Sequence, residues 1–178
     1  RARNGFSWET RLAEQAHVIW GAPAAPYGSK AHVVASLLNT HLGGGMSSQL
    51  FQEIREKKGL AYTVYSALSP YTDTGMLTIY LAAQVQRVPQ CLKLVDETLQ
   101  ALREKLLTPA ELASVKDNLK GSVLLAADNV ESRMTSIAKA EIFLKSNISI
   151  EEVCREIDAV TAEEIRRSAR RILSPQKG

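Results

Sequence analysis

The chain has 178 residues, 45% hydrophobic and 23% charged, with 22 Lys and Arg against 19 Asp and Glu. One domain of roughly 150 residues accounts for that length, the apolar share is enough for a core and excludes disorder as the main state, and a net charge of +3 is too small to call for a nucleic-acid or anionic-membrane partner. Two cysteines, Cys91 and Cys154, exclude a disulfide scaffold, and no apolar run approaches the roughly 18 residues of a membrane span.

The first fifteen residues, RARNGFSWETRLAEQ, lack the apolar stretch of an export signal and are expected to be a linker. A cytoplasmic location follows as the expectation, with the mitochondrial matrix and the periplasm as alternatives. The run from Ala16 to Pro23 is short, apolar and β-branched, and predicts a buried strand that ends at Pro23 and Pro26. Ser29 then caps a helix whose apolar positions Val33, Val34, Leu37, Leu38 and Leu42 recur at three-to-four spacing, and Gly43 ends it. After Gly43-Gly44-Gly45, Ser47 or Ser48 is expected to cap a short helix that carries Leu50, Phe51 and Ile54 and stops at Gly59.

From Leu60 the period changes to two, which places Leu60, Tyr62 and Val64 on one face of a strand and Ala61, Thr63 and Tyr65 on the other. A turn over Ser69 to Gly75 leads to a second strand, Met76 to Val85, and the two are expected to pair as an antiparallel hairpin. Val88, Cys91, Leu92, Val95, Leu99, Leu102 and Leu106 trace the apolar stripe of a long helix. Capping boxes at Thr108–Glu111, Ser149–Glu152 and Thr161–Glu164 mark three further helix starts, and Asp128-Asn129 breaks and recaps the chain before a helix through Arg133 to Lys145. Helices grouped after a hairpin predict an α+β domain with its helices on one face of an antiparallel sheet.

His17, His32 and His41 are the candidate metal ligands or bases, yet none sits in H-E-x-x-H or its inverse. His32 and His41 lie nine residues apart on one predicted helix and point to different sides, so no metal site is expected here. The glycine cluster lacks the Gly-Lys-Ser/Thr end of a phosphate-binding loop; a helix cap explains one or two of its glycines, and the third leaves room for a loop that another backbone approaches. Arg166, Arg167, Arg170 and Arg171 follow Glu163 and Glu164 at helical spacing, as in a salt-bridged solvent face. The tyrosines of the hairpin, Tyr62, Tyr65, Tyr71 and Tyr80, read as packing residues of half-buried strands.

One stretch goes further than these separate readings. LGGGMSSQLFQEIREKKGLAYTVYS, from Leu42 to Ser66, resembles the C-terminal half-domain of the pitrilysin and mitochondrial processing peptidase family, zinc peptidases with an inverted metal motif. EQAHVIWGAP, SPYTDTGMLTIYLA, LTPAELASVKDNLKGSVLL, ESRMTSIAKAE and EIDAVTAEEIRRSARRIL are similar to further parts of that half-domain, in the same order.

The resemblance implies that residues 16–173 form one of two α+β half-domains that close like a clamshell around a peptide substrate, with 174–178 a truncated tail. It implies that zinc belongs to the N-terminal half, the required partner, and that this chain contributes no ligands and is inactive alone. It implies an Arg and a Tyr seven residues apart, here Arg55 and Tyr62, that stabilise the transition state, and a substrate-contacting loop at Gly43, Gly44, Gly45 and Met46. A second copy of the chain is a further candidate partner. The alternative within the same family is a non-catalytic chamber or scaffold subunit, such as the core proteins of the respiratory cytochrome complex.

Overall fold

Alternating apolar residues form three strands, β1 (Ala16–Ala24), β2 (Ala61–Pro70) and β3 (Gly75–Ala83), in a computed structural model that describes residues 14–145 and 148–174. The sheet order is β1-β3-β2, antiparallel throughout. The first strand therefore pairs with the far arm of the hairpin and leaves β2 on an edge. Along β3, Leu77, Ile79 and Leu81 face one side and are buried, as are their cross-strand neighbours Ala22 on β1 and Val64 on β2. Period-two alternation thus gives the sheet one dry face and one open face.

The dry face is covered by α1 (Lys30–Leu42), α2 (Val88–Glu104), α3 (Pro109–Asp128), α5 (Ile150–Ala159) and α6 (Ala162–Ile172), whose buried side chains join those of the sheet in a single core. Leu37, Leu38 and Leu42 of α1 are fully buried and occupy the middle of that core. Helix α4 (Val130–Lys139) starts where Asn129 accepts a hydrogen bond from the Ser132 N–H, 2.9 Å away, so the chain is recapped at Asn129. All three capping boxes form: at Thr108 the hydroxyl accepts from the Glu111 N–H and the Glu111 carboxylate accepts from the Thr108 N–H, and Ser149 with Glu152 and Thr161 with Glu164 repeat the exchange. The α+β architecture with helices on one face matches the expectation. Among the described residues no helix is long and apolar enough to cross a membrane. The expected linker over 1–15 and tail over 174–178 lie largely outside the described residues.

Five expectations need correction. The strand expected to be buried over Ala16 to Pro23 is an edge strand with one open face, where His17, Ile19, Gly21 and Pro23 are exposed and Ala22 is buried. Leu92 and Leu106 are exposed, because α2 ends at Glu104 and its buried stripe runs through Cys91, Val95, Thr98, Leu99 and Leu102. The helix expected through Lys145 ends its α-helical winding at Lys139 and passes into a π-helical segment, Ala140–Leu144, closed by Lys145 in the left-handed region (φ 52°). Neither Ser47 nor Ser48 caps the short helix: the Ser48 hydroxyl donates to the Gly45 carbonyl, and the helix carries no side-chain cap. The strict alternation from Leu60 to Tyr65 is broken by a β-bulge between Ala61 and Thr63, so Leu60 and Ala61 are both buried while Tyr62 turns outward.

Candidate functional site

Phe51–Lys57 winds as a π-helix and ends at Gly59, whose φ of +57° is open to glycine at little cost. The Gly59 N–H donates to the Arg55 carbonyl (3.1 Å) and the Leu60 N–H to that of Ile54 (2.9 Å), closing the helix end as the chain reverses into β2. From the far end of β3, the Arg87 guanidinium donates to the Gly59 carbonyl at 2.6 Å and pins the turn. The bulge that follows re-aims Tyr62, which is 75% exposed.

These irregularities bring Arg55 and Tyr62 together. The Arg55 guanidinium carbon lies 5.3 Å from the centre of the Tyr62 ring and 4.9 Å from that of Phe51, so the cation lies against both aromatic rings. Glu56 is its nearest carboxylate, 3.9 Å from Nε and half exposed, a contact too open to neutralise it. An open groove of about 320 Å³ runs from this pair past Gly59 to Ala82, Gln84 and Arg87. A permanent cation and a phenolic O–H at the mouth of one groove form a donor set suited to an oxygen that carries or develops negative charge.

The glycine loop divides into two parts. A Cβ on Gly43 would fall on the backbone nitrogen of Ser66, whose N–H donates to the Gly43 carbonyl at 2.9 Å, and one on Gly44 would lie 2.8 Å from the Thr40 Cα. Both glycines are there because the loop packs against the edge of β2 and the end of α1. Gly45 has nothing within 4 Å of such an atom, and Met46 is 76% exposed. The Met46 carbonyl accepts from the Gln52 side chain at 2.7 Å, which ties the open part of the loop to the helix that carries Arg55. Of the group Gly43 to Met46, Gly43 is buried and Gly44, Gly45 and Met46 are exposed, although only Gly45 has open space where a Cβ would stand.

The histidines are dispersed. His17 is exposed, with Nδ1 2.7 Å from the Tyr80 hydroxyl; His32 packs on Tyr27 with its pKa lowered by burial; His41 is likewise lowered by burial, partly offset by the Glu111 carboxylate. Among the described residues no three His, Cys, Asp or Glu side chains come together in a way that would hold a metal, so the donors present do not fit zinc. On α6, Arg166 pairs with Glu163 at 2.7 Å, but Glu164 reaches Lys30 of α1 at 3.0 Å, and the Arg170 Nε–H donates to the Arg103 carbonyl on α2. The basic stretch therefore fastens helices together as well as facing solvent. The packing role expected for the tyrosines fails for Tyr62 and Tyr71, which are exposed on the bulge and in the turn, while Tyr65, partly exposed on the open face, packs its ring on Tyr80 at 5.1 Å.

Residue-by-residue reading missed three contributors. Phe51 precedes Arg55 by one helical turn, a spacing that does signal a side-chain contact. Gln52 and Arg87 reach their carbonyl partners by tertiary packing, and for Arg87 the partner lies 28 residues away, where no local pattern signals it.

Residues 5–119 match the family model described as peptidase M16 inactive domain. The chain is 38% identical over 169 residues to an uncharacterized zinc protease of Mycobacterium tuberculosis, covering 95% of this chain and 39% of that protein, and 38% identical over 161 residues to one of Bacillus subtilis, covering 90% and 39%. It thus spans about two fifths of the length of these curated relatives. Among solved structures, a peptidase M16 inactive domain from Pseudomonas fluorescens superposes with a TM-score of 0.78 at 26% identity, over 91% of this chain and 39% of that one. A protease from Helicobacter pylori gives 0.79 at 19% identity over 91% and 39%, a likeness of fold alone.

Proposed function

Because the chain belongs to the peptidase M16 inactive-domain family, we propose that it is the substrate-enclosing, non-metal half of a zinc endopeptidase acting on peptides. In this reading residues 16–173 form the half-domain, and Arg55 and Tyr62 donate to the carbonyl oxygen of the scissile bond as that oxygen becomes anionic. The observation that supports it is the approach of the Arg55 guanidinium to the Tyr62 ring at the mouth of the groove, achieved through Gly59 and the bulge. A donor aimed at developing charge gains more in the transition state than in the ground state, and the gain grows once a second half closes over the groove and removes water. Tyr62 supplies one O–H donor and Arg55 a fork of guanidinium N–H donors. The exposed Gly45 and Met46 contact the peptide chain beside them.

Zinc ligands come from the other half, since the donors among the described residues do not fit the metal and the named relatives are zinc proteases some two and a half times as long. Whether that half is joined to this chain or is a separate subunit leaves these roles unchanged.

The test mixes the chain with the zinc-binding half from the same source and follows a quenched fluorescent peptide. Cleavage is expected only when both halves are present, and elemental analysis of this chain alone is expected to find no stoichiometric zinc. One tightly held zinc per chain, or cleavage by the chain alone, would overturn the proposal. A stable, zinc-loaded pair that cleaves nothing would instead favour the scaffold alternative.

A further inference from the structure

The open face of the sheet carries no Asp, Glu, Lys or Arg. By register its positions are His17, Ile19, Gly21 and Pro23 on β1, Met76, Thr78, Tyr80 and Ala82 on β3, and Thr63, Tyr65, Ala67 and Ser69 on β2. In a chain with 23% charged residues, a whole sheet face without a formal charge is not what solvent exposure alone selects.

The apolar surface is concentrated on one rung. Ile19, Tyr80 and Tyr65 stand opposite one another across the three strands, with Ile19 70% and Tyr65 44% exposed. The Tyr65 and Tyr80 rings stack at 5.1 Å with 29° between their planes, and the Tyr80 hydroxyl is held by His17 at 2.7 Å. The two rings thus present a fixed surface whose conformational cost is already met in the free protein. The adjacent rung is small: His17, Ala82 and Thr63, where a backbone can come close to the sheet. Ala82 also lines the groove that starts at Arg55 and Tyr62, so groove and aromatic rung are continuous.

We infer that Tyr65 and Tyr80, steadied by His17 and flanked by Ile19, form a platform that selects one large apolar or aromatic side chain of the peptide bound at Arg55 and Tyr62. The inference rests on the reading of that pair as the peptide-binding site and names the side-chain chemistry the site prefers. Along a strand two residues span about 7 Å and three about 10 Å, so the platform lies at the distance of two or three peptide residues from the Tyr62 corner. A charged side chain there would lose hydration without a partner on the face; an aromatic one would bury area against the two rings.

The test uses the 178-residue chain and two neutral blocked hexapeptides that differ only by Phe or Ala at one position, with binding followed by NMR of the tyrosine ring protons. The Phe peptide is expected to bind at least about fivefold more tightly than its Ala twin, with shifts centred on Tyr65 and Tyr80. Tyr65→Ala and Tyr80→Ala, both on an open face that tolerates truncation, should erase the difference, while Leu125→Ala, exposed on α3 and away from the sheet face, should keep it. Equal binding of the two peptides, no binding of either, or discrimination that survives both alanine variants would overturn the platform. Ring shifts that depend on chain concentration alone, without peptide discrimination, would make the face a contact between copies and overturn it as well. Because the readout is binding and not turnover, a loss of the Arg55 and Tyr62 assignment in the assembled enzyme is seen separately.

Discussion

In the helical layer, α3, α5 and α6 each begin with a reciprocal capping box and continue in regular α-helical winding, and their side chains close the core. Between Phe51 and Tyr62 the chain instead takes a π-helical segment, a left-handed glycine and a β-bulge in quick succession. The first region repeats one low-energy conformation and serves to hold. The second departs from it three times, and each departure turns a side chain toward the groove. Irregular backbone of this kind concentrates where a protein aims chemistry, since a regular helix followed by a regular strand would leave Tyr62 on the buried side with Val64.

The sharpest way to break this contrast is to damage the two regions separately. Leu38→Ala, in the fully buried middle of α1, should cost about 2–5 kcal/mol in denaturant unfolding without bearing on the groove. Gly43→Ala should cost about 1–3 kcal/mol by driving a methyl group into the backbone of β2, whereas Gly45→Ala, with open space around it, should leave the unfolding midpoint in place. If the two glycine variants were equally stable, the division of the loop into a packed and an open part would be wrong.

Gly59→Ala probes the corner itself. Its left-handed φ should make the variant about 1–2 kcal/mol less stable, and in the assembled enzyme turnover should fall further than stability explains, because the turn that joins Arg55 to Tyr62 has been re-aimed. Activity that tracks stability alone would reduce the corner to ordinary scaffolding.

The helix caps give the smallest effects. Thr161→Ala should cost about 1 kcal/mol. Its partner Glu164 is held at a pKa of about 2, first by the Thr161 backbone N–H and then by Lys30 and the Thr161 hydroxyl. With the folded pKa below its ordinary value of 4.5, this stabilisation is complete above about pH 4.5 and is lost as the pH falls toward 2. Glu164→Gln should accordingly flatten the stability curve in that acid window and leave its slope near neutrality alone; an unchanged slope below pH 4.5 would remove the cap from the account.

The two regions also differ in how far residue types announce them. Thr108, Ser149 and Thr161, each followed three residues later by Glu, are read directly as helix starts, since the capping exchange is local. Arg55, Gly59 and Tyr62 are legible as a family-like spacing, but not the bulge that turns Tyr62 outward: it depends on how β2 pairs with β3, a partner set by tertiary structure. Leu106 fails for a simpler reason, because the apolar stripe of α2 continues in sequence beyond the point where the helix stops.

The most direct measurement is steady-state cleavage by the two assembled halves carrying Tyr62→Phe, which keeps the ring beside Arg55 and removes only the O–H. The account predicts that kcat falls about a hundredfold to a thousandfold while KM and the thermal midpoint stay near those of the parent. Full turnover, or a loss of activity matched by unfolding, would contradict it and return Tyr62 to the role of an exposed strand residue.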